Sequence, residues 1–302
     1  MRAAVVVLLC VGCGRIGYKA AAEGDPDAGA PDAAAPPDAE PPLGPFGTAR
    51  LIDELSDPAA ADDDPSMTGD LRELYFKSDR GGMNDFDIWV TRRDSADLPW
   101  GEAIEVVELS SPDFEATPEV SLDGLTITLS SNRAGGGGGA IDLWVSTREA
   151  REDPWDPPVP LAALNSPADE YAAVTDESGG VVIFNRAVPG QSFDLFQSVR
   201  EDDLFSLPVG LVNLSSMVYE ADSHLDSAGL ELYFAGELPD ATGRDIYVAR
   251  RGAAADDFAL PERVVELATP TADEDPWVSP DRRLIVFSSD RSGDQELYMA
   301  TR

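Results

Sequence analysis

The chain has 302 residues, and 57 acidic side chains against 22 basic ones give it a formal net charge of −35. Such a polyanion repels a phosphate backbone, which excludes nucleic acid as a partner; cations and basic protein surfaces suit it better, and part of the charge serves solubility. Catalysis has little to stand on, because there is one histidine, His224, and no G-x-S-x-G, H-E-x-x-H or Gly-Lys-Ser/Thr motif.

Residues 1–12 carry one arginine, an apolar run from Ala3 to Val11 and small residues ahead of Cys13. This stretch resembles a bacterial lipoprotein signal, with Val11-Gly12-Cys13 as the lipobox and Cys10 where that pattern usually has leucine. The resemblance implies cleavage before Cys13, lipid attachment at Cys13 and a place in the cell envelope, membrane-anchored in the periplasm or at the outer membrane. Cys10 would leave with the signal, so no disulfide is expected. An uncleaved anchor is the alternative, although the run is about half the length of a spanning helix. Residues 13–45 are expected to be a disordered tether: from 20 to 45 they are almost only Ala, Pro, Asp, Gly and Glu, and cannot bury a core. Kept extended by proline and like charge, that stretch would reach up to about 80 Å.

From residue 46 to 302 the sequence repeats. Residues 115–146 show the unit most clearly as three strands. A short run closes at Leu122-Asp123-Gly124, a hairpin signal; a second run alternates through Leu125, Ile127 and Leu129; and a third opens at Asp142-Leu143-Trp144-Val145 after the glycines 135–139, read as a flexible loop. The third-strand signature of acid, aliphatic, aromatic recurs at Asp87-Ile88-Trp89, Asp194-Leu195-Phe196, Asp245-Ile246-Tyr247 and Glu296-Leu297-Tyr298. An aromatic residue also precedes a leucine by nine positions in Phe46/Leu55, Trp100/Leu109, Trp155/Leu164, Phe205/Leu214 and Phe258/Leu267. These leucines are 54, 55, 50 and 53 residues apart, near the length of four-stranded propeller repeats. The fold class is therefore all-β, a five-bladed β-propeller. Because the region opens on a fourth-strand signature and closes after a third-strand one, the N-terminal strand is expected to complete the last blade.

Residues 279–302, SPDRRLIVFSSDRSGDQELYMATR, resemble the WD-like repeat of the TolB β-propeller family, as do Asp123-Gly124, Ser131-Asn132-Arg133 and Asp142-Leu143-Trp144 in blade two and Ser78-Asp79-Arg80 with Asp87-Ile88-Trp89 in blade one. Blades three and four are more degenerate. The resemblance implies propeller architecture, a periplasmic or surface setting and partner binding. It does not imply a role in the Tol-Pal system, since TolB is six-bladed with an added N-terminal domain.

In a four-stranded meander, the start of strand one, the end of strand two and the start of strand three share one face. Acids hold the first position at Asp62, Glu115, Glu170, Glu220 and Asp273, and the third at Asp87, Asp142, Asp194, Asp245 and Glu296; Arg80, Arg133 and Arg291 fall between them, with Arg186 two positions early. An ion-pair girdle is expected, each planar guanidinium bridging two carboxylates. Blade four has Leu238 at the arginine position, after Glu237. There Arg244 is expected to fold back as the counter-charge; the alternative is a calcium ion held by Glu220, Glu237 and Asp245 with Asp240 nearby. No other cofactor is expected. His224, on the first strand of blade four, reads as packed or solvated in the tunnel lining rather than as a base.

Two functions remain open at this point. One is a non-enzymatic, lipid-anchored propeller, expected to be a monomer, that binds an envelope protein or glycan. The other is a glycan-active hydrolase, which needs tunnel carboxylates about 5 to 9.5 Å apart in one solvent-filled pocket. The anchor is testable directly: Cys13→Ala should block processing, leave a larger precursor and abolish partitioning into detergent, whereas unchanged mass and partitioning would refute it.

Overall fold

The computed structural model describes residues 43–82, 86–190, 192–202, 204–215, 219–237 and 243–302. The signal, Cys13, most of the tether, Leu238 and Asp240 lie outside these residues. The described chain is all-β, with five sheets arranged as a five-bladed propeller.

Each blade is an antiparallel meander. The innermost strands are Asp62–Met67, Glu115–Val120, Glu170–Thr175, Glu220–Leu225 and Asp273–Val278. Second strands follow at Glu73–Ser78, Thr126–Ser131, Val181–Ala187, Glu231–Gly236 and Leu284–Ser289, and third strands at Asp87–Arg92, Asp142–Thr147, Phe193–Glu201, Asp245–Arg250 and Glu296–Thr301. The second strands of blades four and five are buried at every residue, since a neighbouring blade covers each face of the sheet. Such strands read as continuous apolar runs such as Leu284-Ile285-Val286-Phe287, not as alternation.

The outer strand is much shorter than the nine-residue spacing suggests. It spans two residues in four blades, Arg50–Leu51, Ile104–Glu105, Val159–Pro160 and Glu262–Arg263, while in blade three Leu204–Phe205 and Val209–Gly210 both pair with the third strand. The aromatic and the leucine are instead anchors flanking that strand. Phe46, Trp155, Phe258 and all five leucines are buried, so each outer segment is pinned at its ends by apolar side chains rather than by a long ladder.

The ring closes as the repeat order implies. Arg50 and Leu51 pair with Met299 and Tyr298 of the last strand, and Gly47 N–H donates to the Thr301 carbonyl at 2.8 Å. Beneath this seam Ile52, Leu55, Trp277 and Leu284 from the last blade pack on Met67, Leu74 and Phe76 of the first. The glycine loop 135–139 packs closely on its neighbours. A Cβ on Gly136 would stand 2.0 Å from Asp142 Oδ2 and one on Gly139 2.1 Å from the Ala168 carbonyl, so the loop lies flat against blade two and its junction with blade three.

Deleting residues 46–55 would strip Phe46, Ile52 and Leu55 from the core, roughly 5 to 9 kcal/mol at about 1.5 to 3 kcal/mol each, a large share of a typical domain's stability, and expose a strand edge. The truncated chain should aggregate or lose its cooperative melt; a parent-like melt would refute closure by this strand.

Candidate functional site

The face that carries the girdle is laid out by strand register. Asp62, Glu115, Glu170, Glu220 and Asp273 stand opposite Ser78, Ser131, Arg186, Gly236 and Ser289, which in turn face Asp87, Asp142, Asp194, Asp245 and Glu296. Arg80 reaches Asp62 at 2.5 Å and Arg133 reaches Glu115 at 2.9 Å; Arg291 pairs with Asp273. Among the described residues none of these guanidinium groups reaches a second carboxylate: the same Nη2 that meets the acid also donates to a backbone carbonyl, Leu55 for Arg80, Leu109 for Arg133 and Leu267 for Arg291, while Nε donates to Ser78, Ser131 and Ser289. The leucines are those of the nine-residue spacing. Arginine thus ties each innermost strand to the chain arriving from the previous blade.

Arg186 reaches the same partners from two positions earlier. It occupies the register place where the other blades have serine, so its Nε meets Glu170 directly at 2.8 Å and its other arm donates to the Leu164 carbonyl at 2.7 Å. In blade four the counter-charge is not the expected one. Arg263, from the outer strand, pairs with Asp245 at 2.8 Å, while Arg244 stacks over Tyr219 and crosses to Glu274 of blade five at 2.5 Å. Glu220 and Asp245 are buried and Glu237 is exposed. His224 does not line the tunnel; it packs on Trp277 with ring centroids 5.7 Å apart, and burial lowers its pKa to about 4.

A second constellation lies on the axis, and it depends on backbone geometry. Each innermost strand carries a bulge after its second residue, and the third residue of each has positive φ: Asp64 (54°), Thr117 (46°), Ala172 (50°), Asp222 (53°) and Asp275 (52°). L-residues adopt this region at a cost, and Asp tolerates it better than β-branched Thr. The bulge breaks the alternation of sides and re-aims one side chain per blade. Three of the five are carboxylates, and an oxygen from each of Asp64, Asp222 and Asp275 lies within 4.8 Å of the others.

These three acids line a cavity of about 340 Å³ together with Asp63, Glu274, Lys77, Arg244 and Asn185 and the rings of Phe114, Tyr171, Phe193 and Tyr219. The rings form a connected wall: Tyr171 meets Phe193 edge-on with centroids 5.3 Å apart, and Phe193 meets Tyr219 at 6.4 Å. Five carboxylates thus face two cations. Lys77 spans Asp63 at 2.9 Å and Asp64 at 3.2 Å; burial alone would lower its pKa, but those neighbouring carboxylates outweigh it and hold the ammonium well above its usual range. Asp64 also accepts the Thr117 N–H at 2.9 Å, Asp275 accepts the Ser288 hydroxyl, and Asp222 accepts the Tyr219 hydroxyl at 3.3 Å.

Asp63, Asp222 and Asp275 resist ionising. Burial first, then repulsion from the neighbouring carboxylates, raises Asp222 and Asp275 well above the usual range, and burial lifts Asp63 to about 7 against the pull of Lys77. Glu119, which lines a narrow cavity shared with the triad, is also raised by burial.

Similarity searches match this arrangement by fold alone. No protein-family model and no curated protein matches the sequence. Solved structures do match. The structural neighbours include TolB proteins. TolB from Acinetobacter baumannii aligns at 11% identity and a TM-score of 0.51 over 82% of this chain, which covers 55% of that protein. A thermostable family-43 glycoside hydrolase aligns at 12% identity and a TM-score of 0.52 over 80% of this chain and 88% of its own. The catalytic domain of the Coprinopsis cinerea GH62 α-L-arabinofuranosidase aligns at 11% and 0.56 over 85% of this chain and 96% of its own. Binding and hydrolytic readings are therefore both compatible with the architecture, and the site has to decide between them.

Asp63, Asp222 and Asp275 make a signed pH prediction. Their folded pKa lies above the unfolded value, so the folded state keeps protons that the unfolded chain has released. The stability they contribute is present below about pH 4 and is lost as pH rises towards the folded pKa, near 7 for Asp63. His224 acts in the opposite sense between 4 and 6.5, which makes the useful quantity a difference. In chelator, Asp222→Asn should gain melting temperature over the parent as pH climbs from 4 to 8, by at least ~2 °C. A pH-independent difference would contradict the burial of an ionisable Asp222.

Proposed function

We propose that the protein is a non-enzymatic binding propeller of the bacterial cell envelope that receives a neutral or amino sugar in its axial cavity. The observation that carries this reading is the pairing of a carboxylate floor with a rigid aromatic wall in a cavity of about 340 Å³, within the size range of small-molecule sites. Sugar hydroxyls donate to carboxylates, and the slightly positive C–H face of a pyranose packs on the negative face of an aromatic ring. With five acids against Lys77 and Arg244, uronic and other acidic sugars are disfavoured.

The hydrolase reading is less well supported. Asp222 and Asp275 are both held towards the neutral state, by burial first and then by the neighbouring carboxylates, which leaves neither suited to act as the ionised member of an acid/base or acid/nucleophile pair. The envelope setting rests on the lipoprotein-like residues 1–13. Among the described residues no helix is long and apolar enough to cross a membrane.

An array of neutral, amino and acidic glycans tests the reading. Binding to the first two classes is expected, with Tyr219→Ala weakening it at least ~10-fold, about 1.4 kcal/mol, while the cooperative melt is kept. Failure to bind any glycan would refute the glycan reading, and release of new reducing ends would move the protein to the hydrolases.

A further inference from the structure

We infer that the axial triad of Asp64, Asp222 and Asp275 is a binding site for a hard divalent cation of the size of calcium. Two oxygens on opposite sides of a calcium ion, each about 2.4 Å from it, are separated by about 4.8 Å, and the three carboxylates offer oxygens all within 4.8 Å of one another. One ion at their centre therefore reaches all three with little rearrangement. The narrow cavity they share with Ser223 and Glu119 has a volume of about 10 Å³, close to one water-sized sphere.

Acidic residues gathered on an axis do not by themselves make a site; two neutral side chains beside them point to a ligand. Asn185 is 1% exposed, lines the axial cavity with the triad, and has hydrogen-bond partners for neither its amide oxygen nor its amide nitrogen. Ser223 is 2% exposed, follows Asp222 directly, lines the narrow cavity, and its hydroxyl is likewise unpartnered. Buried polar groups normally find partners, and orphaned ones beside a cavity mark a bound species that completes them. Asn185 Oδ1 and Ser223 Oγ are the neutral oxygens that calcium accepts alongside carboxylates, either directly or through an ordered water.

Charge compensation favours the same assignment. Lys77 and Arg244 are already committed to Asp63, Asp64 and Glu274, and among the described residues no basic side chain pairs with Asp222 or Asp275. A divalent cation would supply the counter-charge that these two carboxylates lack. The triad comes from blades one, four and five, so the ion would tie together the blades on both sides of the non-covalent seam. This inference is independent of whether a sugar enters the cavity, and its test uses the metal alone.

The full chain should be melted in chelator and in 2 mM calcium chloride at pH 7.5. A rise of at least about 3 °C is expected with calcium, retained in Glu237→Gln and lost in Asp222→Asn and in Asp275→Asn. No rise in the parent chain, or a rise of equal size in both aspartate variants, would overturn the site. Terbium luminescence gives a readout that needs no variant. Excitation of Tyr171 and Tyr219 should sensitise a terbium ion that saturates at one equivalent and is displaced by calcium. Absence of sensitised emission, or emission that calcium leaves unchanged, would equally overturn it.

Discussion

The axial site depends on one backbone feature, the bulge at the third residue of each innermost strand. It places one L-residue per blade at φ near +50° and turns its side chain out of the normal alternation. The strain is of order 1 to 3 kcal/mol per residue, and it is tolerated because the ladder on one side and the next blade on the other fix the backbone. The axial cavity, its carboxylate floor and the choice of Asp at three of five positions all follow from that geometry.

The two charged systems of the ring divide the work. On the girdle face each guanidinium satisfies one buried carboxylate and one leucine carbonyl, so charge is neutralised within the protein and the effect is to hold successive blades together. On the axis the balance is left unfinished. Among the described residues Asp222 and Asp275 receive hydroxyl hydrogens but no guanidinium or ammonium, at a depth where an uncompensated carboxylate is costly. Asp62, Glu115, Glu170 and Asp273 each have an arginine on the girdle face, and the lack of one beside Asp222 and Asp275 among the described residues marks the axis as a place where positive charge can be supplied from outside.

Much of the fold was legible because propeller repeats constrain sequence in independent ways. The Asp-Leu-Trp type signature marks the third strand and the aromatic–leucine spacing marks the ends of the outer one, so the five copies of each give the blade number, and Phe46/Leu55 ahead of the first unit with Glu296-Leu297-Tyr298 at the end gives the closure. The spacing concealed how short the outer strand is, because two apolar anchors give the same pattern as a longer strand. The girdle acids were visible through their regular placement. Arg263 was not, since its role depends on the outer strand crossing back over Asp245, a tertiary fact that no local spacing carries.

Two of the three axial acids, Asp64 and Asp275, carry a sequence signal, whereas Asp222, followed by Ser223, does not. Asp62-Asp63-Asp64-Pro65, Glu115-Ala116-Thr117-Pro118 and Asp273-Glu274-Asp275-Pro276 each place a proline inside an interior strand, where proline occurs essentially only at bulges, and the residue before it is the one turned to the axis. The most direct test of this account is a crystal structure of the protein soaked with a lanthanide and measured at its absorption edge. The account predicts one anomalous peak on the propeller axis, within about 2.3 to 2.6 Å of oxygens from Asp64, Asp222 and Asp275, with those three residues at positive φ. An axis with no peak, or a regular innermost strand that turns these side chains away from it, would contradict the account.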